Sequence, residues 1–121
     1  MQQNYSYIDI PLVVKLTEVY KQAHRAVYRF PKFERYALGE RLLSTLLDTL
    51  STAIGANTAS RYEKERYLVL ANAKIETAKI LYRIARQSDM CDDKTYLDAE
   101  VLLRECGKMT QGWLKHVRAL H

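Results

Sequence analysis

Glycine, proline and cysteine are all scarce in this sequence. Its 121 residues include four glycines, two prolines and two cysteines, which is too few for a loop-rich chain, an all-β chain or a disulfide scaffold. Cys91 and Cys106 lack the spacing of metal ligands, so both are expected to be reduced thiols. No stretch comes near the ~20 apolar residues of a membrane span, and no apolar run follows a charged start. These absences predict a cytoplasmic protein.

The residues that usually carry chemistry in a helical bundle are missing as well. A di-iron bundle needs Glu-x-x-His pairs, but lysine stands three residues after both Glu18 and Glu76. The histidines form no Arg-x(4–6)-His pair of the helical ribonuclease type: His24, His116 and His121. No Gly-rich phosphate loop and no Ser/His/Asp set occurs either. We therefore expect no catalytic residues, no metal and no cofactor.

The length fits one domain, spanning residues 1–121. A chain of this size buries roughly two-thirds of the surface that its unfolded form exposes. Hydrophobic residues make up 48% of the sequence, an ordinary content for a globular protein that excludes an intrinsically disordered chain.

Apolar residues recur at spacings of three and four along four segments, which is the pattern of amphipathic helices. The second segment shows it most clearly, with Leu42, Leu46 and Leu50 four residues apart. The predicted helices cover residues 11–29, 33–54, 61–87 and 93–118. Short connections between such helices make neighbours antiparallel. The sequence therefore predicts an all-α fold, an antiparallel up-down-up-down four-helix bundle.

Local signals mark the ends of these helices. Pro11 suits a first helical position, and Pro31 ends the first helix because the residue before proline avoids the α region. Gly55 and Asn57 tolerate positive φ and are expected where the second helix ends. The last two helices have N-terminal capping signals, which are an S-x-x-E capping box from Ser60 to Glu63, and Asp92 or Asp93.

Positive charge is gathered on helical faces. The net charge is +5 and the pI is about 9.2. Residues 15–41 and 61–86 each carry +4, whereas residues 89–105 carry −4. Three basic stripes lie away from the apolar stripes of their helices: Lys21, Arg25 and Arg29 on the first helix, Lys79, Arg83 and Arg86 on the third, and Lys108, Lys115 and Arg118 on the fourth.

Aligned cations on a helix can follow a phosphate backbone, and the release of counterions then supplies the affinity. Tyrosines neighbour several of these cations in the sequence, as at Tyr28–Arg29 and Tyr82–Arg83. The alternative is that the basic stripes are solvated helix faces and that the tyrosines belong to the core or its rim. The residues alone leave both interpretations open.

Apolar residues also occur beside the main stripes, which suggests either a subunit interface or a wide core face. They are Leu43 and Leu47 on the second helix, and Tyr67, Leu70, Leu81 and Ile84 on the third. Within the fourth helix, Gly107 and Gly112 would let another backbone or a large ring approach closely. Trp113, the single tryptophan, is predicted to be a packing anchor.

Two segments carry a resemblance to a known family. The first reads Phe-Pro-Lys-x-x-Arg-Tyr-x-Leu-Gly from Phe30 to Gly39. The second reads Gly-x-Met-x-x-Gly-Trp-x-Lys from Gly107 to Lys115, with Cys106 before it in place of the usual aliphatic residue. Over nearly its whole length the chain resembles the Avd-like four-helix-bundle family, the accessory variability determinants of diversity-generating retroelements. The chain also resembles the broader relatives of this family, the intervening-sequence proteins of 23S ribosomal RNA.

This resemblance implies a non-enzymatic bundle that assembles as a ring-like homopentamer with a basic surface. It also implies association with the reverse transcriptase of the retroelement and with its template RNA or DNA. The resulting hypothesis is an accessory protein that binds nucleic acid through the three basic stripes. The alternative is an oligomeric protein–protein scaffold of the 23S ribosomal RNA intervening-sequence type, with no direct nucleic-acid role.

Overall fold

The computed structural model of the protein describes residues 10–120. Within this range the chain forms four long helices and no strand. The helices are α1 Pro11–Tyr28, α2 Glu40–Thr58, α3 Arg61–Gln87 and α4 Asp93–Ala119. A short helical turn, Lys32–Glu34, and a π-helical turn, Arg35–Gly39, lead directly into α2. The all-α prediction is confirmed.

The long helices pack around an apolar core. Helix α1 packs against α2 and α4, and α3 packs against the same two, an arrangement that fits the predicted four-helix bundle. Trp113 is partly buried and contacts both the main core and a smaller cluster around Leu68 and Leu114, so its prediction as a packing anchor is confirmed. Thr110 is fully buried in the α4 stripe, and its hydroxyl donates to the Cys106 carbonyl oxygen at 2.8 Å.

The connection between α1 and α2 is a tightly packed turn. Phe30 is buried, and Arg35 Nε donates to the Phe30 carbonyl oxygen at 3.1 Å. Gly39 is buried against the end of α1, where an added Cβ would lie 2.6 Å from Val27 Cγ1 and 3.1 Å from the Glu34 carbonyl oxygen. Only a residue without a side chain fits at this distance, so Gly39 sets how closely α1 and α2 approach.

The predicted end of the second helix is wrong. The helix continues past residue 54 to Thr58, and no glycine in the described chain has positive φ. Lys64 supplies the missing cap, because its Nζ donates to the carbonyl oxygens of Ala56, Asn57 and Ala59 at 2.8, 2.9 and 3.1 Å. A cation that satisfies these terminal carbonyls replaces the expected turn residue. Helices α1, α3 and α4 end within one residue of the prediction.

Both predicted N-terminal caps form. The Ser60 hydroxyl accepts from the Glu63 backbone N–H at 3.4 Å, and Asp92, rather than Asp93, accepts from the Thr95 backbone N–H at 2.8 Å. The Glu63 carboxylate pairs with Arg66 instead of reaching back to Ser60. The capping box is therefore only half made.

Within residues 10–120, no aromatic ring and no backbone segment packs closely against the glycines of α4. An added Cβ at Gly107 would have only Lys79 Nζ nearby, at 4.0 Å, and one at Gly112 would have nothing within 4 Å. The close approach of a ring occurs at Gly55 instead, where a Cβ would lie 3.0 Å from Tyr67 Cε1. Gly55 thus lies inside α2, where it provides space for the Tyr67 side chain.

Two ionisable side chains are enclosed by the core. Tyr82 is 1% exposed, and its hydroxyl has no hydrogen-bond partner in residues 10–120. Burial raises the pKa of the Tyr82 phenol, and the nearby Cys91 adds to the effect. Burial likewise raises the pKa of the Cys106 thiol to about 12. Both groups are kept neutral, and both Cys91 and Cys106 are free thiols.

Replacement of Gly39 by alanine should destabilise the protein, because the new methyl group would overlap Val27. We expect the free energy of unfolding to fall by about 1–3 kcal/mol in urea titrations followed by circular dichroism. The control is Gly112→Ala, where the site is open and the gain in helix propensity should stabilise by about 0.5–1 kcal/mol. A Gly39→Ala protein as stable as the wild type would contradict the packing described for this turn.

Removal of the Tyr82 hydroxyl should stabilise the protein. A buried hydroxyl without a partner costs about 1–3 kcal/mol, so Tyr82→Phe should raise the free energy of unfolding at pH 7. The phenol also makes the free energy of unfolding decrease as the pH rises. The unfolded chain releases the phenol proton near pH 10, while the folded chain retains it. Tyr82→Phe should therefore lose less stability than the wild type between pH 8 and pH 11.

Tyr36→Phe is the control for this substitution, since it removes a hydroxyl from a ring that is 72% exposed. It should leave the free energy of unfolding at pH 7 unchanged. Destabilisation by Tyr82→Phe would mean that the hydroxyl has a partner in solution.

Candidate nucleic-acid interface

The basic stripe of α1 lies beside carboxylates. Its three cations are exposed and make no ion pair within residues 10–120. Arg25 and Arg29 nevertheless line a groove between α1 and α4 with two carboxylates, Asp92 and Asp98. Lys94 lines this groove as well and pairs with Asp98 at 2.8 Å. Hydrogen bonding with Thr95 lowers the pKa of Asp92, and the charge of Arg29 lowers it further. These carboxylates reduce the attraction of the α1 stripe, which includes Lys21, for phosphate.

A second groove gathers cations from both α3 and α4. Lys79 of α3 lines it together with Arg104 and Lys108 of α4. We call it the α3–α4 groove, and its full lining is Asn72, Glu76, Lys79, Arg104, Gly107, Lys108 and Gln111. Three cations and one carboxylate therefore face the same opening. Two of the predicted binding residues, Lys79 of α3 and Lys108 of α4, thus meet in one groove of the described chain. Its other lining side chains are mostly neutral or basic.

Lys79 lies beside Gly107, where an added Cβ would be 4.0 Å from Lys79 Nζ, an ordinary contact distance. Lys79 Nζ forms an ion pair of 2.9 Å with Glu76, which lies three residues earlier on α3. Arg104 and Lys108 are exposed and have no ion pair with any described residue. The groove thus combines one positioned ammonium group with two cations that are free to meet an anion.

The sequence prediction misses Arg104. This residue lies in the segment 89–105, whose net charge of −4 marks it as acidic. The available signal was spacing, because Arg104, Lys108 and Lys115 are four and seven residues apart and so share one face of a helix. Gln111 and Lys115 continue this face along α4, where they border a shallow depression beside Gly112.

Two of the predicted binding residues join α3 to α4. Arg86 Nε donates to Asp93 Oδ1 at 2.7 Å, and its guanidinium lies 5.3 Å from the centroid of the Tyr96 ring. The hydrogen bond to Asp93 raises the pKa of Arg86. Arg118 Nε donates to Glu65 Oε2 at 3.0 Å. Both arginines form ion pairs between α3 and α4, so they contribute to the packing of these two helices.

The other cations of the α3 and α4 stripes are less constrained. Arg83, Lys108 and Lys115 are exposed, and the described part of the chain offers none of them a carboxylate within 4 Å. Lys108 lines the α3–α4 groove with the unpaired Arg104, whereas Arg83 and Lys115 lie outside its lining. An anion could approach these cations without first breaking an internal ion pair.

Residues 10–120 lack two other kinds of site. No group of three or more His, Cys, Asp or Glu side chains lies close enough together there to hold a metal ion. None of the described helices has the length and apolar character needed to cross a membrane. His121 lies outside the described residues.

Comparison with known proteins identifies a family. A profile of the bAvd-like family matches residues 11–117, which run from the start of α1 almost to the end of α4. No curated protein matches the chain. Both sequence motifs, Phe30–Gly39 and Gly107–Lys115, lie within the matched range, and the resemblance noted from them is confirmed. The chain belongs to the bAvd-like family.

Proposed function

We propose that the protein is a non-enzymatic accessory factor of a diversity-generating retroelement. In this role it binds the template RNA or DNA and associates with the reverse transcriptase, and both activities belong in the cytoplasm. The observation that carries the nucleic-acid part is the α3–α4 groove, where Lys79, Arg104 and Lys108 line one opening with a single carboxylate. Cations spaced along such a groove match the repeating negative charge of a phosphate backbone.

The same proposal includes an antiparallel up-down-up-down bundle that assembles as a homopentamer. Contacts between helix ends support the antiparallel part, since Arg61 Nη1 at the start of α3 donates to the Leu120 carbonyl oxygen just past α4, at 3.3 Å. Five copies side by side would multiply the basic surface of one chain. The affinity for a long nucleic acid would then exceed that of a single groove.

The outer face of α3 is our proposed subunit interface. The helix buries Leu68, Ala71, Ile75, Ala78, Tyr82 and Ala85. Opposite this buried face it presents Val69, Leu70, Ile80 and Ile84, which are 41–48% exposed. Ala73 and Thr77 lie between them at the same helical spacing. An apolar stripe along a helix that already contributes fully to the core favours contact with a second copy.

Internal ion pairing favours the alternative function, an oligomeric protein–protein scaffold with no direct nucleic-acid role. Lys79, Arg86 and Arg118 all pair with carboxylates of this chain, which would leave less charge for phosphate. The two functions differ in how binding depends on salt. The affinity of a nucleic-acid binder falls steeply as the salt concentration rises. A scaffold that meets an acidic protein would retain no affinity for an unrelated duplex even at low salt.

Neutralisation of the groove should weaken nucleic-acid binding. We expect Arg104→Gln combined with Lys108→Gln to reduce the affinity for duplex RNA roughly 30-fold near 0.1 M salt, from about 1 kcal/mol for each cation removed. The slope of log affinity against log salt should become shallower by about one for each phosphate that the protein no longer neutralises. Fluorescence anisotropy over a salt series measures both quantities.

The matched control is Lys21→Gln combined with Arg25→Gln, which changes the net charge equally at two exposed side chains that lie outside the groove and are unpaired within residues 10–120. It should change affinity and slope far less than the groove variant. Equal effects of the two variants would argue for a diffuse electrostatic attraction rather than a site.

A charge on the outer face of α3 should prevent assembly. Ile80→Glu places a carboxylate in the proposed interface, so the sedimentation coefficient should fall to that of a monomer while helical content is unchanged. Val14→Glu is the control, because Val14 is exposed to a similar extent on α1, at 53% against 46% for Ile80. An Ile80→Glu protein that sediments like the wild type would exclude this face as the interface.

A further inference from the structure

The turn between α1 and α2 exposes three aromatic rings. Phe33 is 90% exposed, Tyr36 is 72% exposed and Tyr28 is 71% exposed. The chain's other phenylalanine, Phe30, is only 1% exposed. Burial of a phenylalanine side chain stabilises a protein by about 1.5–3 kcal/mol, and Phe33 contributes nothing of this kind. Such exposure of large rings at one turn calls for a role outside the fold.

The exposed rings are not needed to form the turn. The turn is closed by the buried Phe30, by the hydrogen bond from Arg35 to the Phe30 carbonyl oxygen, and by the close packing of Gly39. Phe33 and Tyr36 are three residues apart in the helical turns that follow Pro31. These turns hold the two backbone positions on a helical scaffold, so their rings project from a rigid segment rather than from a flexible loop.

Cations lie close to these rings in the sequence. Residues 29–41 contain four Lys or Arg and two Glu. The guanidinium of Arg35 lies 5.0 Å from the centroid of the Tyr28 ring, a cation–π contact that restrains both side chains. Arg29, Lys32 and Arg41 are exposed and have no ion pair with the residues that the structure describes. The turn thus combines aromatic faces with unpaired positive charge.

We propose that this turn binds unpaired bases of a single-stranded nucleic acid. Bases of single strands stack on exposed aromatic rings while neighbouring cations hold the phosphates, and every base has a face that can stack. We name Phe33 and Tyr36 as the stacking residues, with Lys32 and Arg41 as the phosphate contacts. The inference rests on the nucleic-acid binding proposed above, but it assigns a different ligand to a different site.

The composition of the turn distinguishes this ligand from a duplex and from a protein. In a duplex the base faces are already stacked on one another, so exposed rings gain no contact with them. The centre of a protein interface is depleted of charge, whereas here cations alternate with the rings. The apolar outer face of α3 has the composition of a protein contact, and the turn does not.

The test uses variants that remove the aromatic faces but keep apolar bulk. In the full chain, the double substitution Phe33→Leu and Tyr36→Leu should reduce the affinity for a single-stranded 12-mer by about 10-fold or more. It should bind a duplex of the same sequence with unchanged affinity. A 2-aminopurine base in the single strand should lose the quenching that stacking produces in the wild type. Tyr36→Phe keeps the ring and should retain both affinity and quenching.

A strand of equal length made of abasic sites provides the second arm, because it has the phosphates without the bases. The wild type should bind it more weakly than the base-bearing strand, and the double leucine variant should not discriminate between the two. The inference is overturned if the wild type binds both strands equally, or if the double variant keeps its affinity and quenching. If that happens while the α3–α4 groove still determines duplex binding, the proposed function stands and only this site is wrong. Failure of the wild type to bind any nucleic acid would overturn both.

Discussion

The close approach of α1 to the start of α2 at Gly39 is the constraint on which the bundle depends. With only 2.6 Å between Val27 Cγ1 and the position of a Cβ, the two helices meet at a distance that no side chain allows. Arg35 closes the same turn through the Phe30 carbonyl oxygen. Because α1 and α2 leave this turn in defined directions, their apolar stripes face the same core. Helices α3 and α4 complete that core against surfaces already positioned by the turn.

Charge has two separate uses in this molecule. Lys64 caps the carbonyl end of α2, and Arg86 and Arg118 fasten the ends of α3 and α4 through Asp93 and Glu65. These cations are neutralised locally and serve the fold. Arg83, Arg104, Lys108 and Lys115 have no such partner in the described chain and remain available for ligands. Net charge therefore overstates the basic surface, and the unpaired cations are the relevant measure.

Much of the fold could be predicted from the sequence because its signals are local. The apolar spacing predicted the four helices, and Ser60 and Asp92 form caps within one turn of their own positions. The end of α2 could not be found in this way, since it depends on Lys64 of the next helix and on the Tyr67 ring beside Gly55. Both contacts exist only after α2 and α3 have packed together.

The candidate site was less predictable for the same reason. Aligned cations on one helix are visible in a sequence, but the partner of each cation is not. Arg86 and Lys79 are both members of the α3 stripe. Arg86 pairs with Asp93 of another helix, whereas Lys79 pairs with Glu76 of its own helix and lies in a groove with Arg104. Ion pairing across helices is decided by tertiary structure. The sequence could therefore identify the candidate cations, but it could not show which of them pair with carboxylates of another helix.

The π-helical turn Arg35–Gly39 has a consequence for how this gene can change. Such a turn holds one more residue than an α-helical turn would, and each residue of an α-helix rotates the chain by about 100°. Deletion of a single codon here would restore ordinary helix geometry, yet it would swing the preceding segment, with Phe33, away from its present direction. Exposed positions such as Ala37 can exchange one amino acid for another without this effect. The exposed positions of this segment therefore tolerate substitution better than the segment tolerates a change in its length.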